Sequence, residues 1–281
     1  MPSAGPHAKH NRMAQLFALP PRSLLYVPAA NARALDKARG LAADMLIVDL
    51  EDSVPAERKA EARDAMRAAL AAGYPGKRVA VRINAHGHVE QPADLAALAD
   101  VACDAIVVPK VDAPGELAAP TALGKPLFAM IESPAGVYAA RDIAAHASVA
   151  ALVAGLNDLA IELKLPDVTD RSAMSLSIQA IVLAARAGGK LAFDGVYNAI
   201  DDGAGFAAEA AEGRRLGFDG KTLIHPSQVD PCNLAFAPTP AEIEEAAAII
   251  AAATGGAQRF RGRMIEDMHV AQARALLARK I

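Results

Sequence analysis

Ionisable side chains stand where apolar runs of this sequence stop. The stretch "LIVDLEDSV" ends in Asp49, Glu51 and Asp52, "RVAVRIN" delivers Arg82 and Asn84, "DAIVVPK" ends in Lys110, "LFAMIE" ends in Glu132, and "VAALVAG" runs on to Asp158. A lone Asp in such a place is usually a helix cap or a turn former. Arg and Lys do not cap helix N-termini and Glu does so poorly, so Arg82, Lys110 and Glu132 require another role. A pocket for a metal ion and an anionic substrate supplies one. Glu132 and Asp158 follow consecutive runs, and two carboxylates with water in the remaining positions are what Mg²⁺ commonly takes from a protein. The plainer alternative is a capping Asp and a surface Glu. Arg82 offers a planar fork suited to a carboxylate held at two points, or to an ion pair with Asp49 or Glu51, and the two roles are compatible.

These residues need a scaffold that gathers strand ends at one face. From Arg22 onward, β-branched apolar runs alternate with alanine-rich helical patterns, the signature of βα units around a parallel sheet. The runs are Ser23–Pro28, Met45–Leu50, Arg78–Asn84, Asp104–Lys110, Leu127–Glu132, Val149–Gly155, Lys190–Val196 and Lys221–Pro226. Eight such units within about 200 residues fit a closed (β/α)8 TIM barrel better than an open sheet, and a barrel places its chemistry at the C-terminal ends of the strands. Asp194 and His225 then join the other strand-end groups at that face. The expected organisation is a loose tail over 1–20, the barrel over 21–235 and a helical extension over 236–281. In the extension, "TPAEIEEAAAIIAAA" is capped by Thr239 with Glu242 three positions on, and a last helix is expected in "MIEDMHVAQARALLARK".

Composition narrows the class of function. The 281 residues are 53% hydrophobic with a net charge of -3, so neither a nucleic-acid-binding nor a membrane-surface protein is indicated. Cys103 and Cys232 form neither a disulfide framework nor a zinc pattern, and no apolar run approaches the ~18 residues of a membrane span, so a cytoplasmic protein is expected. Other features carry less. "GFDGKT" lacks the first glycine of a phosphate loop, Arg215 standing in its place, and leads into a strand. His86 and His88 sit in a loop, and His225 is read as closing the barrel by hydrogen bonding. No lysine is expected within a strand interior, Lys110 following Pro109 at a strand end, which weighs against Schiff-base chemistry.

The series "RSLLYVPAA", "LIVDLEDSVPAERKAEAR", "VRIN", "DAIVVPKV", "MIESPAGV", "GLNDLA" and "GFDGKTLIHPSQVDPCNLAFAPTPAEI" resembles, in order and spacing, the citrate lyase beta subunit and malyl-CoA lyase family, from Arg22 to about Arg274. The resemblance implies a (β/α)8 barrel with a C-terminal helical extension that uses Mg²⁺ to cleave or form the carbon–carbon bond of β-hydroxyacyl-CoA thioesters. It makes Glu132 and Asp158 the metal ligands, with Glu132 also touching substrate. Arg82 becomes the residue that grips the 2-oxo acid, and Asp49, Glu51 and Asp52 the groups behind them that orient Arg82 and metal-bound waters. It further implies a homotrimer or hexamer in which an acid/base from the extension reaches a neighbour's site. Where the family reads Met, apolar residue, Asp, this chain has Met264, Ile265, Glu266 and then Asp267, so Glu266 or Asp267 takes that part. The family's glycine after "VP" is Ala29, and Asn157 stands where many members have Glu. Two alternatives stand beside it: a metal-dependent aldolase with the same metal pair acting on 4-hydroxy-2-oxo acids without CoA, and a non-catalytic or complex-bound citrate lyase beta-type subunit that keeps the barrel and relies on an acyl-carrier partner, which Glu266 in place of Asp favours.

Overall fold

The computed structural model describes Phe17, residues 19–167 and residues 169–279, which fall into two compact units meeting between Ala235 and Phe236. Most of the segment expected as a tail lies outside the described residues. Phe17, within it, is buried and its ring lies 5.3 Å from that of Phe128, centroid to centroid.

In the first unit eight parallel strands close in sequence order: β1 (Ser23–Pro28), β2 (Met45–Asp49), β3 (Arg78–Arg82), β4 (Ala105–Val108), β5 (Leu127–Ile131), β6 (Val149–Ala154), β7 (Leu191–Asp194) and β8 (Gly220–Leu223). The ring is completed by β1 against β8, Leu24 opposite Thr222. The connecting helices are α1 (Ala32–Lys37), α2 (Lys59–Ala72), α3 (Gln91–Leu98), the single turn α4 (Ala118–Thr121), α5 (Pro134–Ala145), α6 (Leu156–Glu162), α7 (Ser175–Ala187), α8 (Gly203–Leu216) and α9 (Val229–Phe236). Alternate residues of each strand face opposite ways. Leu24, Ile47, Ala80, Val107, Phe128, Val153 and Phe193 fill the barrel interior, while Leu25, Val48, Val81, Ile106, Ala129 and Leu152 are also buried. Burial on both faces explains why these strands read as unbroken apolar runs rather than alternating ones.

Register decides which strand-end groups meet. Asp49 pairs with Arg82 across β2 and β3, and Ile131 with Ala154 across β5 and β6, so the residues that follow the second pair, Glu132 and Gly155, emerge side by side. Among the described residues no helix is long and apolar enough to cross a membrane.

The second unit contains α10 (Pro240–Ala252), an antiparallel hairpin of β9 (Gln258–Phe260) and β10 (Arg263–Ile265), and α11 (Asp267–Ala278). The Thr239 cap is present: Glu242 N donates to Thr239 Oγ1 at 3.2 Å, and Thr239 N donates to Glu242 Oε2 at 2.7 Å. The last helix starts later than its sequence pattern suggests, because Met264 and Ile265 pair with Arg259 and Gln258 in the hairpin. Ile265 instead enters a small core with Ala246, Ile249, Val270 and Ala273. Glu266 precedes α11, its N–H donating to His269 Nδ1 at 3.0 Å, and Asp267 Oδ1 accepts from Gly256 N at 3.3 Å.

Candidate active site

The mouth of the barrel is a cavity of about 430 Å³ walled by Tyr26, Asp49, Asp52, Arg82, Glu132 and Asp158, with apolar surface from Met130, Leu156, Val196 and Ile224. Each polar group arrives there for a local reason. After β2 the chain turns as Glu51 N donates to Asp49 Oδ1 at 3.0 Å. The turn is clamped from behind by Lys59, a buried residue opening α2, whose Nζ donates to Leu50 O at 2.7 Å, Glu51 O at 2.8 Å and Asn84 Oδ1 at 2.8 Å. The clamp uses backbone carbonyls and Asn84 alone, so the Asp49 and Glu51 carboxylates are left for other partners.

Arg82 meets them there. Its Nε and Nη2 donate to the two oxygens of Asp49, each at 2.7 Å, and its Nη1 lies 2.9 Å from Glu51 Oε2. That last contact is an ion pair without hydrogen-bond geometry, since Glu51 Oε2 is buried with no donor aimed at it. Burial alone would raise the Asp49 carboxyl, but the hydrogen bonds and charge of Arg82 outweigh it and hold the group below its ordinary value. Both alternatives for Arg82 therefore remain compatible in space: it is ion-paired, it lines the cavity, and its terminal nitrogens keep donors for a third acceptor.

Lys110 lies just beyond β4 in the left-handed region, at φ 52°, a conformation that costs a non-glycine residue about 1–2 kcal/mol. Two contacts offset it. Its backbone N–H donates to Glu132 Oε1 at 2.6 Å, and its Nζ donates to Glu51 Oε1 at 2.7 Å while lying 3.5 Å from Asp158 Oδ2 and 3.7 Å from Asp52 Oδ2. The sequence placed Lys110 among the strand-end groups of a metal and anion pocket; here it bridges the carboxylates that follow β2, β5 and β6.

Glu132 is buried beside the first turn of α6, where Asp158 sits near the positive end of the helix. Gly155 makes room for it, since a Cβ there would collide with Glu132 Cβ and Oε2. Burial first, then the charges of Glu51 and Asp158, push the Glu132 carboxyl up to about 8, against the opposing pull of Lys110. Burial likewise raises Glu51. Five carboxylates thus share two cations, and the deficit falls on Glu132.

That deficit is what a divalent cation fits. Among the described residues no group of three or more His, Cys, Asp or Glu side chains forms a ready-made cage. Mg²⁺, however, usually takes one or two carboxylates and keeps several waters. Glu132 and Asp158, both on an open cavity, meet that requirement.

The remaining strand ends do not join them. Asp194 is fully buried, with Nζ of Lys221 at 3.1 Å and Nη1 of Arg171 at 3.0 Å. Lys221 corrects the expectation that no strand interior holds a lysine: it lies inside β8, completely buried, bound also to Glu209 at 2.7 Å and Gly195 O at 2.6 Å, and it does not line the cavity. Asn84 is buried against Asp94, 2.6 Å from its Nδ2. His225 sets the turn after β8, its Nδ1 lying 2.7 Å from Ser227 Oγ. Tyr26 and Lys59 were not singled out by sequence; each is one apolar-looking or charged residue among many until the barrel closes.

Residues 22–226 match the family model described as HpcH/HpaI aldolase/citrate lyase. The chain belongs to this family. A (3S)-malyl-CoA thioesterase of Cereibacter sphaeroides is 44% identical over 92% of this chain and 94% of its own length. The citrate lyase subunit beta of Escherichia coli is 34% identical, with 92% of each chain covered. Among solved structures, CitE of Mycobacterium tuberculosis in complex with magnesium, acetoacetate and coenzyme A superimposes with a TM-score of 0.80 at 32% identity, covering 92% of this chain and 97% of that one. A solved citrate lyase beta subunit of M. tuberculosis, 32% identical with a TM-score of 0.70 over 78% of this chain and 97% of that one, is complexed with oxaloacetate and magnesium. Relatives in the HpcH/HpaI aldolase/citrate lyase family thus bind magnesium, CoA and small oxo acids on the barrel found here.

Proposed function

We propose that this chain is a Mg²⁺-dependent carbon–carbon lyase that cleaves or forms a β-hydroxyacyl-CoA thioester, of the malyl-, citramalyl- or citryl-CoA type, yielding an acyl-CoA and a 2-oxo acid. The observation that carries this reading is the pairing of a cation-deficient carboxylate pair, Glu132 and Asp158, with a guanidinium that keeps donors free at the same cavity. Glu132 and Asp158 would hold the metal. The chemistry a bound Mg²⁺ supplies is Lewis acidity toward the β-hydroxyl and the emerging ketone. Arg82, fixed by Asp49, grips the carboxylate of the fragment that leaves as the 2-oxo acid. In the cleavage direction the β-hydroxyl gives its proton to the Glu266 or Asp267 carboxylate, the bond between the α- and β-carbons breaks, and its electron pair becomes the thioester enolate. Glu266 or Asp267, from a neighbouring subunit of a homotrimer, returns a proton to the α-carbon. Lys110 lies among the carboxylates of Glu51, Asp52 and Asp158 and offsets their mutual repulsion.

A second reading is hydrolysis of the same thioester, favoured by the 44% identity with the thioesterase against 34% with the citrate lyase subunit. One assay separates the two. Incubated with (3S)-malyl-CoA and Mg²⁺, a lyase releases glyoxylate and acetyl-CoA with no free thiol, whereas a thioesterase releases free CoA thiol and malate without glyoxylate. Turnover only of a free 4-hydroxy-2-oxo acid would point to the aldolase alternative, and turnover only with an acyl-carrier partner to a citrate lyase beta-type subunit. A monomeric mass at micromolar concentration would remove the shared acid/base.

A further inference from the structure

Tyr26 occupies a position where phenylalanine would do everything the unliganded protein asks. It is the second inward-facing residue of β1 after Leu24, packs on the barrel interior, and presents its ring to the Arg82 guanidinium, whose Cζ lies 4.7 Å from the ring centroid. Packing and the cation–π contact use the ring alone. The hydroxyl is left over. Among the described residues it is one of the few buried side-chain polar atoms without a hydrogen-bond partner, and it belongs to a residue that lines the cavity. The other hydroxyls of the wall are satisfied: Thr222 Oγ1 donates to Asp194 O at 2.9 Å, and the Ser53 side chain hydrogen-bonds Asp49. A buried unpaired donor is rare in a folded protein and points to a partner that arrives later.

We propose that the Tyr26 hydroxyl is a substrate-binding group that donates a hydrogen bond to an oxygen of the 2-oxo acid fragment beside Arg82. The acceptor class follows from the surroundings. Burial pushes the phenol up, against the pull of Arg82, so it stays protonated and offers a donor. The Arg82 guanidinium stacks on the same ring, and the carboxylates of Asp49, Glu132 and Glu51 also surround it, so the acceptor this donor meets is an oxygen of the ligand that Arg82 holds. Arg82 then fixes the charge of the fragment and Tyr26 the position of one oxygen, which a site built to hydrogen-bond its ligand uses for discrimination.

The inference rests on reading the cavity as a 2-oxo acid site, and the experiment separates the two. Mg²⁺-loaded wild type and Tyr26→Phe are titrated calorimetrically with glyoxylate, pyruvate and oxaloacetate, and their thermal unfolding is recorded without ligand. The expected result is an unliganded Tm for Y26F equal to or above that of wild type, with the affinity for the oxo acid that wild type binds best lowered about tenfold. Equal affinities in the two proteins overturn the role of the hydroxyl and leave the functional reading standing. A lower unliganded Tm overturns it as well, because the hydroxyl then has a structural partner. Failure of wild type to bind any of the three acids removes the functional reading and the inference together.

Discussion

Two sides of the same barrel mouth use the same residue types to opposite ends. On the side built by β2 to β6, Asp49, Glu51, Asp52, Glu132 and Asp158 share Arg82 and Lys110, and Glu132 is pushed up to about 8. On the side built by β7 and β8, Asp194, Glu209 and Glu212 lie against Lys221 and Arg171 in a cluster that does not line the cavity. An acidic residue at the end of a barrel strand is therefore not in itself a sign of chemistry. What distinguishes the open side is that its ionic cluster lines the cavity and leaves one carboxyl there, Glu132, without a matching cation, whereas the β7–β8 cluster lies away from the cavity and holds the fold.

The contrast breaks most sharply at Glu132. Glu132→Gln should lower Mg²⁺-dependent turnover by at least about 1,000-fold, equivalent to about 4 kcal/mol, because it removes one of two metal ligands; a loss under tenfold would refute the assignment. The same substitution should stabilise the metal-free protein. With its folded value raised from 4.5 to about 8, the Glu132 carboxyl contributes stability that is complete below pH 4.5 and is lost as pH rises through about 8. Thermal unfolding of metal-free E132Q should accordingly show a shallower fall in Tm between pH 5 and 8 than wild type, and Mg²⁺ should close the gap by neutralising the wild-type carboxylate.

Lys221→Met tests the closed side. Removing one partner of a buried ion pair strands the other, at a cost of about 3–5 kcal/mol, so urea unfolding should show a large loss of stability. The Mg²⁺ affinity of the folded fraction should stay at the wild-type level, since Lys221 is fully buried and does not line the cavity. A selective loss of metal affinity without loss of stability would erase the distinction between the two sides.

Much of this was legible in the sequence, and the limits have a physical pattern. Strand existence, order and end points followed from local apolar runs such as "MLIVDL", because a parallel strand buried on both faces writes itself in consecutive residues. The groups reaching the open side, Arg82, Glu132 and Asp158, were visible for the same reason: strand ends project toward one face. Long-range neutralisation was not visible. Lys59 closes on Asn84 and Lys110 on Glu51, pairs separated by 25 and 59 positions, and no local pattern tells a clamping lysine from a solvated one. Asp194 looked equivalent to Asp49 at its strand end and differs only in what closes over it. The β9–β10 hairpin was hidden by a helical pattern whose first residues, Met264 and Ile265, pair as a strand instead.

Smaller effects refine the open side. Gly155→Ala places a methyl against Glu132 Cβ and its Oε2. Because the collision is with the stem as well as the tip of that side chain, rotation alone does not relieve it. Mg²⁺ affinity should drop by about 100-fold, at the upper end of what displaced support for a metal ligand costs. A calorimetric titration of metal-free G155A with Mg²⁺ reads this directly, and an unchanged affinity would mean that Glu132 is not held where the cavity places it.

Asp52 marks the edge of the effect. Its side chain is 63% exposed and lies 3.7 Å from Lys110 Nζ, a contact too long for a hydrogen bond and open to screening by salt. Glu51, by contrast, is buried and bonded to the same ammonium at 2.7 Å. Asp52→Asn should therefore weaken Mg²⁺ or substrate binding by only about tenfold, the lower bound for a group that supports ligands from behind. The deficit should shrink further as ionic strength rises, because an exposed charge loses its influence over a Debye length of about 8 Å at physiological salt. A deficit that instead persists at 1 M salt would show Asp52 acting through direct contact, and would move the boundary between the screened rim and the unsatisfied interior outward by one residue.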